Sequence, residues 1–280
     1  MIAEAVATAQ KADVIVAALG EAAEMTGEAS SRSDIEIPEN QRDLLKALIK
    51  TGKPVVLVLF TGRPLAIQWE HDNIPAILNV WFGGTEAGNA IADVLFGDVN
   101  PSGKLSATFP RNAGQIPIYY SYKNTGRPYG GNGVDFAKFQ SNYLDVPNSP
   151  LYPFGHGLSY TKFEYSLVKL SKNTLSMAVP KDVINVSVTI TNTGNYDGEE
   201  VVQLYIHDKV RSITPPVKEL KGFQKIALKK GESQRVTFAL SVEDLKFYNG
   251  ELKFVAEPGE FEVLVGTSSS EVNGADFILK

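Results

Sequence analysis

Apolar residues follow two different patterns along this chain. In the first hundred positions they come as short continuous runs, Val14 to Leu19, Pro54 to Phe60 and Ala76 to Trp81, each bounded by polar or turn residues. Runs of that length without alternation predict strands covered on both faces. Between them lie stretches of helical character. Ile2 to Ala12 is alanine-rich and free of breakers, and Asp13 to Leu19 then reads as the first strand. Pro38 opens a second helix, with Glu36 and Glu39 near the positive end of its dipole and Leu44, Leu45, Leu48 and Ile49 on one face. Thr51-Gly52 ends it, and a third helix is expected from about Glu86 to Leu95. Strands alternating with helices predict a largely parallel sheet.

After about Lys162 the period becomes two. Ile184, Val186, Val188 and Ile190 alternate with outward residues, as do Val202, Leu204 and Ile206, then Val236, Phe238 and Leu240, then Phe261, Val263 and Val265. Turn chemistry separates these half-buried strands, at Asn192 to Asn195, Lys229 to Glu232 and Glu257 to Glu260. An antiparallel β-sandwich of about seven strands fits that pattern. Between the two regimes, Arg111 to Pro150 is rich in glycine, asparagine, tyrosine and proline and reads as a long irregular loop. Its Tyr119, Tyr120, Tyr122, Tyr129 and Tyr143 could stack on sugar rings or pack against protein.

Composition narrows the field. The 280 residues, 43% of them hydrophobic, suffice for two packed cores. A formal charge of -5 without any clustered basic run argues against nucleic acid as a partner. The lysines at 218, 221, 225, 229 and 230 read as a solvated face. No apolar run approaches the roughly 20 residues that span a bilayer, so no membrane insertion is expected, and Met1-Ile2-Ala3-Glu4 does not open a signal peptide. With no cysteine, disulfides and thiolate chemistry are excluded, and His71, His156 and His207 show no metal-ligand spacing. No metal and no cofactor are expected. Gly83-Gly84 precedes a helix, but neither a dinucleotide fingerprint nor a P-loop accompanies it, and no G-x-S-x-G elbow occurs.

The candidate chemistry lies in the loop that leaves the first strand, Gly20 to Asp34, which holds Glu21, Glu24, Glu28 and Arg32. In an open α/β sheet, ligands bind at the strands' carboxyl ends, where Thr61-Gly62-Arg63-Pro64 and Phe82-Gly83-Gly84 should also gather.

An ordered set of segments carries a family resemblance: Gly20-Glu21, Gln41 to Leu44, Thr51 to Leu57, Gly62-Arg63-Pro64, Ala92 to Leu105, Phe109-Pro110, and Pro153 to Tyr160. Together they resemble the C-terminal part of family 3 glycoside hydrolases, in particular bacterial periplasmic β-glucosidases. The resemblance implies part of an α/β sandwich domain over 1–118, a long loop and linker over 119–161 and a fibronectin type III-like β-sandwich over 162–280. It further implies a C-terminal fragment of a retaining exo-β-glucosidase, periplasmic or secreted in its full-length parent, with a β-glucoside or oligosaccharide as substrate. Complete members begin with a (β/α)8 barrel that supplies the nucleophilic aspartate, and this chain has no such segment, so the fragment alone is expected to be inactive. The acid/base glutamate comes from the loop of the second domain. Glu28 matches it by its place before Asp34-Ile35-Glu36-Ile37-Pro38, with Glu21 as second choice, because some relatives use the Gly-Glu itself. Glu21 and Arg32 are the expected substrate-binding residues. The competing reading is a stand-alone, non-catalytic carbohydrate-binding or structural module.

Overall fold

A computed structural model describes residues 1–128, 134 and 137–280, so Tyr129 lies outside the described residues. Contacts divide the chain into two units. One comprises Met1–Phe96, Phe109–Ile118 and Pro150–Tyr152, the other Gly97–Thr108, Tyr119–Ser149 and Pro153–Lys280.

The first unit is built on a parallel sheet ordered β1-β2-β3, from β1 (Ile15–Gly20), β2 (Val55–Phe60) and β3 (Ala76–Asn79). Val55, Leu57, Val58 and Leu59 of the central strand are buried, as its unbroken apolar run requires. Helix α1 (Ile2–Ala9) is shorter than its alanine-rich sequence suggests. The amides of Lys11 and Ala12 bond back to Thr8 and Ala9, three residues away, and that tightened turn ends the helix. Helix α2 (Glu39–Ile49) starts after Pro38 and buries Leu45 and Leu48. Helix α3 (Gln68–Asn73) is too short and polar to show a period. Helix α4 (Ala87–Phe96) is apolar, yet none of its residues is buried, and Phe96 is fully in solvent. Val14 and Val16, beside and within β1, are also exposed, and β3 has one edge with no strand partner among the described residues. The expected strand from Ala76 to Trp81 stops at Asn79, because Trp81 adopts a φ of 52°, which breaks extended geometry. Phe109 is buried against the edges of Trp81 and Tyr152, and so supports the segment after β3.

The second unit is a two-sheet sandwich. One sheet is ordered β10-β7-β4, from β10 (Ser233–Ser241), β7 (Val183–Asn192) and β4 (Phe163–Tyr165), with β5 (Lys169–Leu170) also on β7. The other runs β6-β14-β13-β8-β9, from β6 (Thr174–Leu175), β14 (Val272–Leu279), β13 (Gly259–Gly266), β8 (Gly198–Asp208) and β9 (Glu219–Leu228). All pairings are antiparallel except β6 with β14. The alternating apolar residues of the sequence form one core, from Ile184 and Val186 through Val202 and Leu204 to Val263 and Val265. A small hairpin, β11 (Phe247–Tyr248) with β12 (Phe254–Val255), stands apart from both sheets.

The segment 97–108 belongs to this unit by its contacts. Lys104 forms an ion pair with buried Glu200 at 3.1 Å, and Tyr165 donates to the same carboxylate at 2.9 Å. Among the tyrosines of the long loop, Tyr120 stacks on Phe154 and meets Tyr205 edge-on, while Tyr119, Tyr122 and Tyr143 remain exposed. Lys218 departs from the expected solvated face, because it donates to the Ser269 carbonyl and burial pulls its pKa down. Among the described residues no helix is long and apolar enough to cross a membrane.

Candidate active site

The candidate loop begins where β1 meets β2. Gly20 takes a φ of 142°, and any side chain there would collide with the Phe60 carbonyl, so only glycine allows the two strands this approach. Gln41, on α2, holds the same residue from the other side, accepting from its amide at 2.8 Å and donating to its carbonyl at 2.9 Å. Glu21 is thereby directed inward, and its side chain is completely buried.

Inside, Glu21 meets every partner a carboxylate can use. Oε1 accepts from Arg32 at 2.9 Å and lies 2.9 Å from Arg63 Nε; Oε2 accepts from the Thr61 hydroxyl and the Gly62 amide, both at 3.0 Å. The approach of Arg63 Nε is an ion contact, since its angle falls outside hydrogen-bonding range. Burial alone would raise the Glu21 pKa, but Arg32, the Gly62 amide, Thr61 and Arg63 together hold it below the ordinary carboxylate range. Glu21 is therefore an ionised anchor.

The two arginines extend that anchor to the rest of the loop. Arg63 Nη2 donates to the carbonyls of Met25 at 2.7 Å and Ser30 at 2.8 Å, gripping the loop on both sides of Glu28. Arg32 Nη2 donates to the Glu36 carbonyl at 3.1 Å. Behind it, Arg42 pairs with fully buried Glu70 at 2.8 Å and with Glu36, which fixes the start of α2.

Glu28 occupies the tip that these contacts leave free. The Ser30 amide bonds to the Gly27 carbonyl at 3.2 Å, closing a turn with Glu28 and Ala29 at its centre, and Ala29 takes a φ of 60°. Glu28 is exposed and makes no hydrogen bond or ion pair among the described residues. Glu24 is likewise exposed. Beside this turn lies an open concavity of about 460 Å³, lined by Thr26, Gly27, Ala29, Ser30, Ser31, Gly62, Arg63 and Phe82. A side chain at Gly62 would strike Thr26 and Phe82, so this glycine keeps the concavity open. The turn segments expected at the carboxyl edge of the sheet do gather here. Arg63 and Phe82, not singled out from the sequence as site residues, are their main contributors.

No group of three or more metal-ligating side chains occurs among the described residues. His71 bonds to the Tyr152 hydroxyl at 2.8 Å, and His207 lies 3.6 Å from Glu262.

Residues 1–160 match the glycosyl hydrolase family 3 C-terminal domain, and residues 200–269 match a fibronectin type III-like domain. A periplasmic β-glucosidase of Salmonella typhimurium is 54% identical over 279 residues, 100% of this chain and 36% of its own length. A β-xylosidase of Formosa agariphila is 44% identical across 95% of this chain and 35% of its own length. The β-glucosidase of Listeria innocua, solved in complex with gluconolactone, superimposes with a TM-score of 0.93 at 45% identity, covering 99% of this chain and 38% of that one. The chain thus spans little more than a third of the length of the relatives it matches.

Proposed function

Because the chain belongs to glycosyl hydrolase family 3, we propose that it works as the C-terminal part of a retaining exo-β-glucosidase and supplies that enzyme's acid/base, Glu28. The contrast between the two loop glutamates carries this reading. Glu21 has no oxygen to spare and is kept ionised, which unfits it to give up a proton, whereas Glu28 stands unpaired on a clamped turn beside a concavity.

A retaining glycosidase uses two carboxyl groups about 5 to 5.5 Å apart, one attacking the sugar and the other protonating the departing oxygen and then deprotonating water. Glu28 would perform the second task. The nucleophile would come from a barrel segment packed over the turn, and that packing would supply the burial and the second carboxylate that keep a general acid protonated. Exposed α4, the edge of β3 and the buried side-chain amide of Asn79, the last two without a partner among the described residues, support further protein packing on this unit. Glu21 and Arg32 spend their hydrogen bonds on each other and on the loop, so their part in substrate binding is to shape the floor of the pocket.

The substrate class we read is a terminal β-D-glucoside; the relatives named β-glucosidase support it, beside a relative named β-xylosidase, and the periplasm is taken from the name of the Salmonella relative. The 280-residue chain alone should not cleave aryl β-glucosides, since general acid catalysis contributes only about 10²- to 10⁴-fold. In a full-length polypeptide containing this chain, Glu28→Gln should cripple hydrolysis of substrates with poor leaving groups and spare activated aryl glucosides. Azide should restore turnover of the activated substrates. Near-normal activity for Glu28→Gln, with that leaving-group pattern in Glu21→Gln instead, would transfer the role to Glu21.

A further inference from the structure

The sandwich unit carries an aromatic pair that its core does not use. Strands β11 and β12 alternate, so Phe247 points inward and is buried beneath Arg211, whose guanidinium carbon lies 4.3 Å from the ring centroid. The other residue of each two-residue strand is exposed. Tyr248 and Phe254 are cross-strand partners, 62% and 52% exposed, with ring centroids 5.0 Å apart and planes tilted by 41°.

The hairpin is tied in at its base and at its tip. A capping box between Ser241 and Asp244 fixes the turn before it, and buried Leu245 anchors that turn. At the tip, Asn249 Oδ1 accepts from the amides of Glu251 and Lys253, both at 3.0 Å. Leu252 is held there at a φ of 60°, 82% exposed, where glycine or asparagine would be less strained.

Its charges indicate the kind of ligand. Lys253 pairs with Glu251 at 2.6 Å and Lys246 with Glu243 at 2.7 Å, so the hairpin offers a charged molecule no unpaired partner. The Tyr248 hydroxyl and the side-chain nitrogen of Asn249, Nδ2, make no hydrogen bond among the described residues and are left to serve a neutral polar one. Two rings and a leucine are also too little surface for a stable protein interface, which needs about 800 Å² per partner.

The geometry points to a glycan-binding platform at the β11–β12 hairpin, where the faces of Tyr248 and Phe254 take the C–H face of a neutral β-linked polysaccharide. Aromatic faces suit such surfaces, and a preformed hairpin loses little freedom on binding. The choice of a β-linked glycan rests on the glycosidase reading; the platform does not.

The test is native electrophoresis of the 280-residue chain through gels containing a soluble mixed-linkage β-glucan. The chain should be retarded, and Tyr248→Ala combined with Phe254→Ala should weaken the apparent affinity roughly tenfold or more, with the unfolding midpoint unchanged. Absence of retardation, or equal retardation of wild type and double variant, overturns the proposal. So does a wild type that sediments as a dimer beside a monomeric variant, because a second copy would then be the occupant. Hydrolysis by a full-length polypeptide without retardation of this chain removes the platform alone. Retardation without such hydrolysis removes the glucosidase reading alone.

Discussion

Removing the Glu21 carboxylate should destabilise the first unit selectively. Glu21→Ala leaves Arg32, Arg63, the Thr61 hydroxyl and the Gly62 amide facing a gap from which solvent is excluded. Breaking a buried ion pair from one side costs about 3–5 kcal/mol. A domain holds only about 5–15 kcal/mol in total, so the alanine variant will sit at the margin, and Glu21→Gln, which keeps the shape and loses the charge, is the better probe. Both tryptophans, Trp69 and Trp81, lie in this unit, so their fluorescence in urea follows it without a tryptophan signal from the sandwich. At a slope of about 2 kcal/mol/M, a loss of about 3 kcal/mol moves the midpoint down by about 1.5 M. The pH dependence has a fixed sign. The folded-state pKa of Glu21 is lowered, so its contribution is present above the unfolded value and is lost as pH falls through the folded one. The gap between wild type and Glu21→Gln should be full at pH 7 and close on acidification below about pH 4. A midpoint within about 0.3 M of wild type at pH 7, or a gap that stays constant with acid, would refute the picture of a buried ionised anchor.

Arg63→Ala should loosen the loop at Met25 and Ser30 without touching Glu28, raising amide hydrogen exchange from Thr26 to Ser31 while leaving β2 protected. Ala29→Gly should be neutral or stabilising by up to about 1 kcal/mol, because relief of a left-handed alanine exceeds the added freedom of the unfolded glycine; Ala29→Val should be clearly destabilising in the same urea assay. In the sandwich, Asp208 is buried with one oxygen that has no hydrogen-bond partner among the described residues, and burial pushes its pKa up to about 6 despite Arg211. A raised carboxylate pKa stabilises below the unfolded value and loses that stability as pH rises through the folded one, so calorimetry should show the sandwich weakening from about pH 4 to 6, by roughly 3 kcal/mol at most. Asp208→Asn should flatten that slope, and an unchanged slope would place the titration elsewhere.

Much of the fold was legible because it rests on local periodicity. The unbroken run at Val55 to Phe60 became the central strand, the period-two residues became the sandwich core, and Gly52 took the left-handed φ, 75°, expected of a helix cap. Helix α3 was missed because six residues with a single apolar one, Trp69, have no period, although one of them, Glu70, is fully buried on Arg42, a pairing across 28 positions that no local pattern announces.

The loop was legible as the candidate site, but the difference between its glutamates was not, for a related reason. Spacing placed Glu21 and Glu28 on one loop and gave no ground in the residues themselves to separate them. What separates them is Arg63, with Thr61 and Gly62, about 40 positions away and brought to the loop only by the parallel pairing of β1 with β2. A signal existed: two strands predicted to be parallel end in Gly-Glu and Thr-Gly-Arg, and adjacent carboxyl ends bring a carboxylate to an arginine. Two departures near the site are backbone positions with positive φ, Ala29 in the turn beside Glu28 and Trp81 next to Phe82; Ala29 and Phe82 both line the concavity. Local sequence rules are expected to break where a site needs an unfavourable conformation. Ala29 makes the distinction between the two glutamates physical: Glu21 is satisfied at both oxygens and holds the loop, so the loop can hold an alanine against its preference and keep Glu28 exposed, without a partner among the described residues.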